Sequence, residues 1–327
     1  MTEPVHPRES PPLDDTPLDA PPFDDTSLDS TAQLLSRITV QLGAQLSHVT
    51  RNGTPRRMTH TDQPTLVAVA HGSRDPRALV TVTALLDLVR ELRPGLDVRL
   101  GHIELNEPLL PDTLAALGPA GNAVLVPLML GRGYHVKHDL PQAAEASPCA
   151  QTRVAAPLGP HPLLVEALCS RLAEAGWRDE DSGSRGAAVV LAAAGSRDPE
   201  SAADARRTAE MLSERLEGTP VLAAFASGAV PAVPAAVRAL AARGRHRIAV
   251  ASYFASPGLF ASRSAAAAPW TAADPIGAHP ALARLVLHRY DQAVAAARPL
   301  GAGAAAGARS TSYPAEHAAQ RRELAPA

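Results

Sequence analysis

The chain is poor in cysteine. Its two, Cys149 and Cys169, stand 20 residues apart in a chain of 327 and form no Cys-x-x-Cys pair. A four-thiolate zinc or iron–sulfur site within one chain is therefore excluded, and no disulfide framework is supported. A reduced, cytoplasmic setting is the expectation. Aromatic residues make up only 3%, which argues against base-stacking platforms for single-stranded nucleic acid. Positive charge is not in excess either. The net charge is −2, so composition implies no polyanion-binding surface, and no nucleic-acid partner is expected. No apolar run is long enough to span a membrane. The acidic, Pro-rich start has neither a basic n-region nor an apolar h-region, so no signal peptide is expected.

What is present is organised around residues 64–299. Ahead of them, "PPLDDTPLDA" and "PPFDDTSLDS" form a ten-residue near-repeat of Pro, Asp and Thr. Such a composition buries too little apolar area to offset its ordering entropy, so residues 1–63 are expected to be a disordered tail. Within it, Leu34, Leu35, Ile38, Leu42 and Leu46 have helix-like spacing. Residues 300–327, Gly/Ala-rich and then charged, read as a flexible tail. In the core, strands are expected at 65–70, 96–105, 122–130 and 152–159, and helices at 78–92, 109–118 and 161–176. Near-continuously apolar strands alternating with helices predict a parallel sheet covered on both faces.

The order then returns, with strands at 187–195, 220–226 and 246–255 and helices at 203–218 and 234–244. "PIGAHPALARLVLHRYDQA" (275–293) echoes "PLGPHPLLVEALCSRLAEA" (157–175). The reading is a tandem duplication. Two α/β units, 64–180 and 181–299, are expected about a pseudo-two-fold axis with a cleft between them. Ligands of open parallel sheets bind beyond the carboxyl ends of the strands.

A duplication tests itself. "HGSRDP" (71–76) returns as "AGSRDP" (194–199). Gly72 through Pro76 are matched, which suits a tight turn capping the next helix. His161 and His279 also pair, each in a Gly-x-His-Pro turn at a helix entry, and read as structural. Three polar residues fail to pair. His71 meets Ala194, Glu104 is set against Ala226, and His135 meets Phe260. All three are expected at or just past the ends of successive strands. Two histidines and a carboxylate suit a divalent first-row metal. His102, two residues from Glu104 on the same strand face, and His138, three after His135, are candidates to orient that set.

"VAHGSRDP", "HIEL" and "PLMLGRGYHVKHDLP" together resemble the class II tetrapyrrole chelatases of the CbiX/SirB family, the sirohydrochlorin and cobalt chelatases. The resemblance covers about 64–299, and the two-copy layout is similar to the family's long, fused form. It implies insertion of a divalent metal into sirohydrochlorin without ATP, and the chain indeed has no GxxxxGK[ST] phosphate loop. It implies His71 as metal ligand and proton acceptor, His135 as second ligand, and Glu104 as a catalytic carboxylate facing the substrate. No cofactor is implied beyond the metal substrate, with Fe2+ favoured, then Co2+ or Ni2+, in sirohaem or cobalamin synthesis. The C-terminal half departs from the pattern at all three positions, so a single active site is expected.

The residue types suit that chemistry. Insertion releases two pyrrole N–H protons while the hydrated ion sheds water. A neutral imidazole can hold the metal or take a proton, and a carboxylate can take the second. Arg74, Arg132 and Lys137 are candidate partners for the macrocycle's carboxylates. Leu130, Gly131, Arg132, Gly133 and Tyr134 are expected to line its site, the glycines letting the ring approach the backbone. Ala194, Ala226 and Phe260 would give the second half an apolar wall. A monomer is expected, since the fused halves supply their own pairing. The alternative reading is a tetrapyrrole or metal carrier of the same fold that binds without inserting. A histidine phosphatase is disfavoured, since Ala70 stands where an arginine should precede the histidine.

Overall fold

The computed structural model describes residues 63–296. The expectations for the two tails, including the helix-like spacing at 34–46, lie outside them. The first half runs β1 (Thr65–Ala70), α1 (Pro76–Leu92), β2 (Val98–His102), α2 (Leu110–Ala115), β3 (Asn122–Pro127), α3 (Leu140–Glu145), β4 (Gln151–Val154) and α4 (Pro162–Glu174). The second runs β5 (Ala187–Ala193), α5 (Pro199–Arg215), β6 (Val221–Phe225), α6 (Val233–Ala241), β7 (Arg247–Tyr253), α7 (Leu259–Ala265), β8 (Thr271–Ala272) and α8 (Pro280–Ala296). Each half forms a four-stranded sheet, ordered β2-β1-β3-β4 and β6-β5-β7-β8. The strand pairs are parallel throughout. This is the expected α/β class, built twice.

The central strands β1 and β5 are buried along their whole length, as strands covered on both faces must be. Both following helices start alike. Pro76 and Pro199 open them, and Asp75 and Asp198 accept the N–H two residues on. Such a cap contributes about 1 kcal/mol. His161 and His279 do the same for α4 and α8 through Nδ1, accepting from Leu163 and Ala281. Burial holds both imidazoles below the usual histidine range, which keeps the accepting nitrogen free.

The closing helices trade places. α8, last in the second half, packs on α1 and β3 of the first, and α4 packs on α5 and β7 of the second. The Tyr290 hydroxyl donates to the Pro64 carbonyl, and the Arg171 guanidinium donates to Ile276 O. One apolar core consequently runs through both halves, from Leu66 and Leu86 to Leu191 and Leu285. Two smaller clusters cover the outer sheet faces under α2–α3 and α6.

Several expected strands are shorter in the structure. β2 stops at His102, because the chain turns back and the His102 N–H donates to Pro108 O. Glu104 therefore lies in a loop. β3 ends at Pro127, and residues 128–133 continue without regular structure into a π-helical turn, His135–Asp139. That turn, α3 and α7 were not anticipated, being short and weakly periodic.

Candidate functional site

The carboxyl ends of β1 and β3, with the loop after β2, bring His71, His135 and Glu104 together. His71 follows β1 directly. The next residue must be glycine. Gly72 has φ +104°, and a Cβ there would stand 1.8 Å from Glu104 O. The same close approach lets the Glu104 N–H donate to His71 O at 3.0 Å, tying the two candidate residues through their backbones. His71 Nε2 stands 3.5 Å from Glu104 Oε1, and both side chains are about half exposed. His71 Nδ1 faces Gly72 O at 3.3 Å. With the proton on Nδ1, the Nε2 lone pair is free.

The His71 and His135 rings meet edge to face, their centroids 4.7 Å apart. His135 Nδ1 lies 2.5 Å from Asp139 Oδ2, one helical turn on. A carboxylate on one imidazole nitrogen fixes the tautomer and makes the other a better metal donor. Asp139 was missed in the sequence, although the His-x-x-x-Asp spacing of "HVKHD" could have found it. His138 does not orient His135; its ring lies against Tyr134, centroids 4.7 Å apart. His102 is not a partner of Glu104 either. It is 2% exposed, with Nδ1 3.2 Å from Pro108 O. Asn106, also missed, accepts the Ser73 N–H through Oδ1 at 2.6 Å and braces the turn after His71.

Among the described residues, no three His, Cys, Asp or Glu side chains form a ready-made metal cage. The arrangement is an open pair of imidazoles with a carboxylate beside it. Such a set can hold an ion loosely and accept protons. A cavity of about 120 Å³ adjoins it, lined by His71, Ser73 and Asn106 of the first half and by Ala255 and Ser256 of the second. A larger hollow of about 270 Å³ beside Val237 and His246 lies at the other end of the second sheet and holds none of these groups.

The expected substrate-lining segment divides. Leu130 is buried, and its carbonyl accepts the Tyr253 hydroxyl at 2.8 Å. Gly131 and Gly133 face Asp204 and Ser196 of the second half. Arg132 donates to Asp204 and Glu200, and Lys137 to Asp198 and Glu200. These bonds raise the pKa of both cations, Arg132 chiefly through Asp204 and Lys137 chiefly through Asp198. Lys137 in turn lowers that of Asp198. Both cations are thus engaged within the protein. Tyr134 is 63% exposed at the rim. Arg74 is exposed and makes no ion pair among the described residues, and the same holds for its twin Arg197.

The hydrogen bonds align the two copies residue by residue. Ser227 N–H donates to Ala194 O as Glu104 N–H donates to His71 O. Glu104 is therefore matched by Ser227, and the sequence pairing with Ala226 was one residue off. His102 falls opposite Phe225, whose N–H donates to Pro231 O as that of His102 does to Pro108 O. Phe260 is the match of His135, since the Lys137 N–H donates to Gly133 O as the Ser262 N–H donates to Gly258 O. The second copy thus presents Ala194, Ser227 and Phe260, with no imidazole and no carboxylate.

The CbiX family model matches the chain twice, over residues 65–175 and 188–293. A sirohydrochlorin cobaltochelatase of Methanococcus aeolicus is 32% identical over 88 residues, 26% of this chain and 62% of that protein. A sirohydrochlorin ferrochelatase of Bacillus subtilis is 27% identical over 172 residues, 51% of this chain and 64% of that one. The matched segment thus spans less than two thirds of either relative. Among solved structures, SirB from Bacillus subtilis with Fe3+ superposes with a TM-score of 0.57 at 22% identity, covering 71% of this chain and 96% of SirB. The CbiX described as the terminal enzyme for siroheme biosynthesis in denitrifying bacteria gives 0.53 at 23%, covering 70% and 99%. At such identities these two likenesses establish the fold alone.

Proposed function

The chain belongs to the CbiX family, and from that premise we propose that it inserts a divalent metal into sirohydrochlorin without ATP. The observation that carries this reading is the meeting of His71, Glu104 and His135 at the strand ends of one half, opposite a second half stripped of all three. The ion is a substrate that must be handed on. Two imidazoles without a thiolate hold a first-row divalent ion and still release it. Fe2+ is favoured, then Co2+ and Ni2+. The relatives' names, which include both a ferrochelatase and a cobaltochelatase, support a site open to more than one of them.

Two N–H protons leave the macrocycle as the two M–N bonds to those nitrogens form. As the ion passes from His71 to the ring, the released Nε2 lone pair accepts one, and Glu104, 3.5 Å away, the other. His135, held by Asp139, keeps its remaining nitrogen directed to the metal. The flat ring rests in the cleft against apolar groups exposed on both sides: Leu105 and Tyr134 from the first half, Leu259 and Phe260 from the second. Arg74 and Arg197, one from each half, are free to bind its carboxylates. Arg132 and Lys137 do not serve that task, since their charges are already paired.

The protein acts as a monomer in the cytoplasm, without nucleic acid or membrane. The interlocked halves and the free thiols Cys149 and Cys169 support this, and among the described residues no helix is long and apolar enough to cross a membrane. The test is anaerobic incubation with sirohydrochlorin and an equimolar mixture of Fe2+, Co2+ and Ni2+, followed by absorbance and product analysis. Metallated product should form catalytically, with the iron product in excess. Binding of the macrocycle without turnover would instead identify a carrier.

A further inference from the structure

We infer that Asp198, Glu200 and Asp204 of the second half are positioning residues for the metal site of the first. The inference rests on the reading of His135 as a metal ligand. His135 sits in a segment with little anchorage of its own. β3 ends at Pro127, and the chain then runs through two glycines, Gly131 and Gly133, before the turn that carries the imidazole. That segment is held from the other half.

The Arg132 backbone N–H donates to Asp204 Oδ2 at 2.9 Å, and its guanidinium donates to the same carboxylate through Nη2 at 2.7 Å and Nε at 3.0 Å. Arg132 Nη1 donates to Glu200 at 3.0 Å. On the far side of His135, Lys137 Nζ reaches Asp198 at 2.6 Å and Glu200 at 2.5 Å. The clamp therefore grips the chain three residues before the imidazole and two after it. Asp204 is 2% exposed. A carboxylate so buried persists only when paired and hydrogen-bonded.

The equivalent seam on the other side of the pseudo-two-fold lacks all of this. Gly258 approaches Ser73 as Gly133 approaches Ser196, so the two loops dock alike. Yet Pro257 and Ser262 stand where Arg132 and Lys137 do, and Thr81 and Arg77 stand where Asp204 and Glu200 do. Asp75 binds Arg77 of its own turn instead. The other ion pairs between the halves, Arg93–Asp291 and Glu166–Arg284, do not involve these loops. Among the described residues, the only docking loop tied to the opposite half by ion pairs is the one that carries a histidine. Docking alone does not require them, since the loop bearing Phe260 docks without them. What they add is a fixed place for His135 relative to His71, which is set by β1 of the first half. Displacement of one ligand by a fraction of an ångström is enough to loosen a two-imidazole site.

The experiment uses the full chain and Co2+ alone as the probe. Co2+ affinity is read by visible absorbance, kcat and KM for sirohydrochlorin by insertion, and folding by thermal melting, in Asp204→Asn, Glu200→Gln, His135→Ala and Asp291→Asn. The last removes the partner of Arg93, a pair that also joins the halves but at the far end of α1. Asp204→Asn should weaken Co2+ binding about tenfold, the low end of what losing a supporting partner of a ligand costs, and lower kcat with little change in KM. Glu200→Gln, half exposed and safe for folding, should act in the same direction by about threefold. Asp291→Asn should change the melt and leave Co2+ affinity alone. Unchanged affinity in Asp204→Asn and Glu200→Gln beside its loss in His135→Ala would overturn the clamp. If Asp204→Asn does not fold, Glu200→Gln decides by the same criterion. Unchanged affinity in His135→Ala would overturn the ligand reading beneath it, and the clamp as well.

Discussion

The two halves keep the same backbone and divide the work. Gly72 and Gly195 both have positive φ, and a Cβ on either would stand 1.8 Å from a carbonyl oxygen, that of Glu104 or Ser227. Asp75 and Asp198 both cap a helix, as do His161 and His279. What backbone geometry demands is present twice. What the proposed chemistry demands is present once: His71 against Ala194, Glu104 against Ser227, His135 against Phe260. The second half has not simply lost function. Its acidic residues pair with the loop of His135, and it exposes Leu259 and Phe260. Asymmetry in a duplicated fold thus points to candidates both for the reacting groups and for the groups that hold them.

Replacing His71 should separate the halves most sharply. His71→Ala copies Ala194, so the fold should tolerate it within about 0.5 kcal/mol by thermal melting. Metal insertion should fall by about 100-fold or more, since ligand and proton acceptor go together. Near wild-type insertion would remove His71 from the chemistry. Next in size is the wall. Phe260→Asp sets an unpaired charge beside the ring and should weaken sirohydrochlorin binding about tenfold. Co2+ affinity should be unchanged, because Phe260 holds no metal. Equal affinity for the macrocycle, measured by fluorescence or absorbance titration, would show that the second half is not a wall.

The smallest effect comes from a strained residue. Leu105 has φ +67°, whereas its counterpart Gly228 takes φ +66° without a side chain to strain. A leucine kept in the left-handed region, 52% exposed and next to Glu104, is better explained by contact with a ligand than by packing. Leu105→Gly should therefore stabilise the fold by about 1 kcal/mol while raising KM for sirohydrochlorin roughly threefold through lost apolar contact. A KM that stays level would assign Leu105 no part in the site.

The sequence made the duplicated parallel sheets legible, because buried parallel strands are apolar without interruption and their order repeats. The three unpaired polar residues were visible for the same reason. Ser227 was not identified, since β2 and β6 are followed by loops whose register only the hydrogen bonds reveal. Arg132 and Lys137 looked like free cations because their partners lie 61–72 residues away, at the start of α5, and no local pattern announces such a pairing. The exchange of α4 and α8 was equally hidden, since amphipathic spacing gives the buried face of a helix and not the sheet that covers it.

On this reading, one half alone carries the metal chemistry. Anaerobic titration of the full chain with Co2+, followed by visible absorbance, tests it most directly. One site per chain is expected, lost when His71 and His135 are both replaced by alanine. Two equivalent sites per chain, or a single site that survives the double replacement, would contradict it.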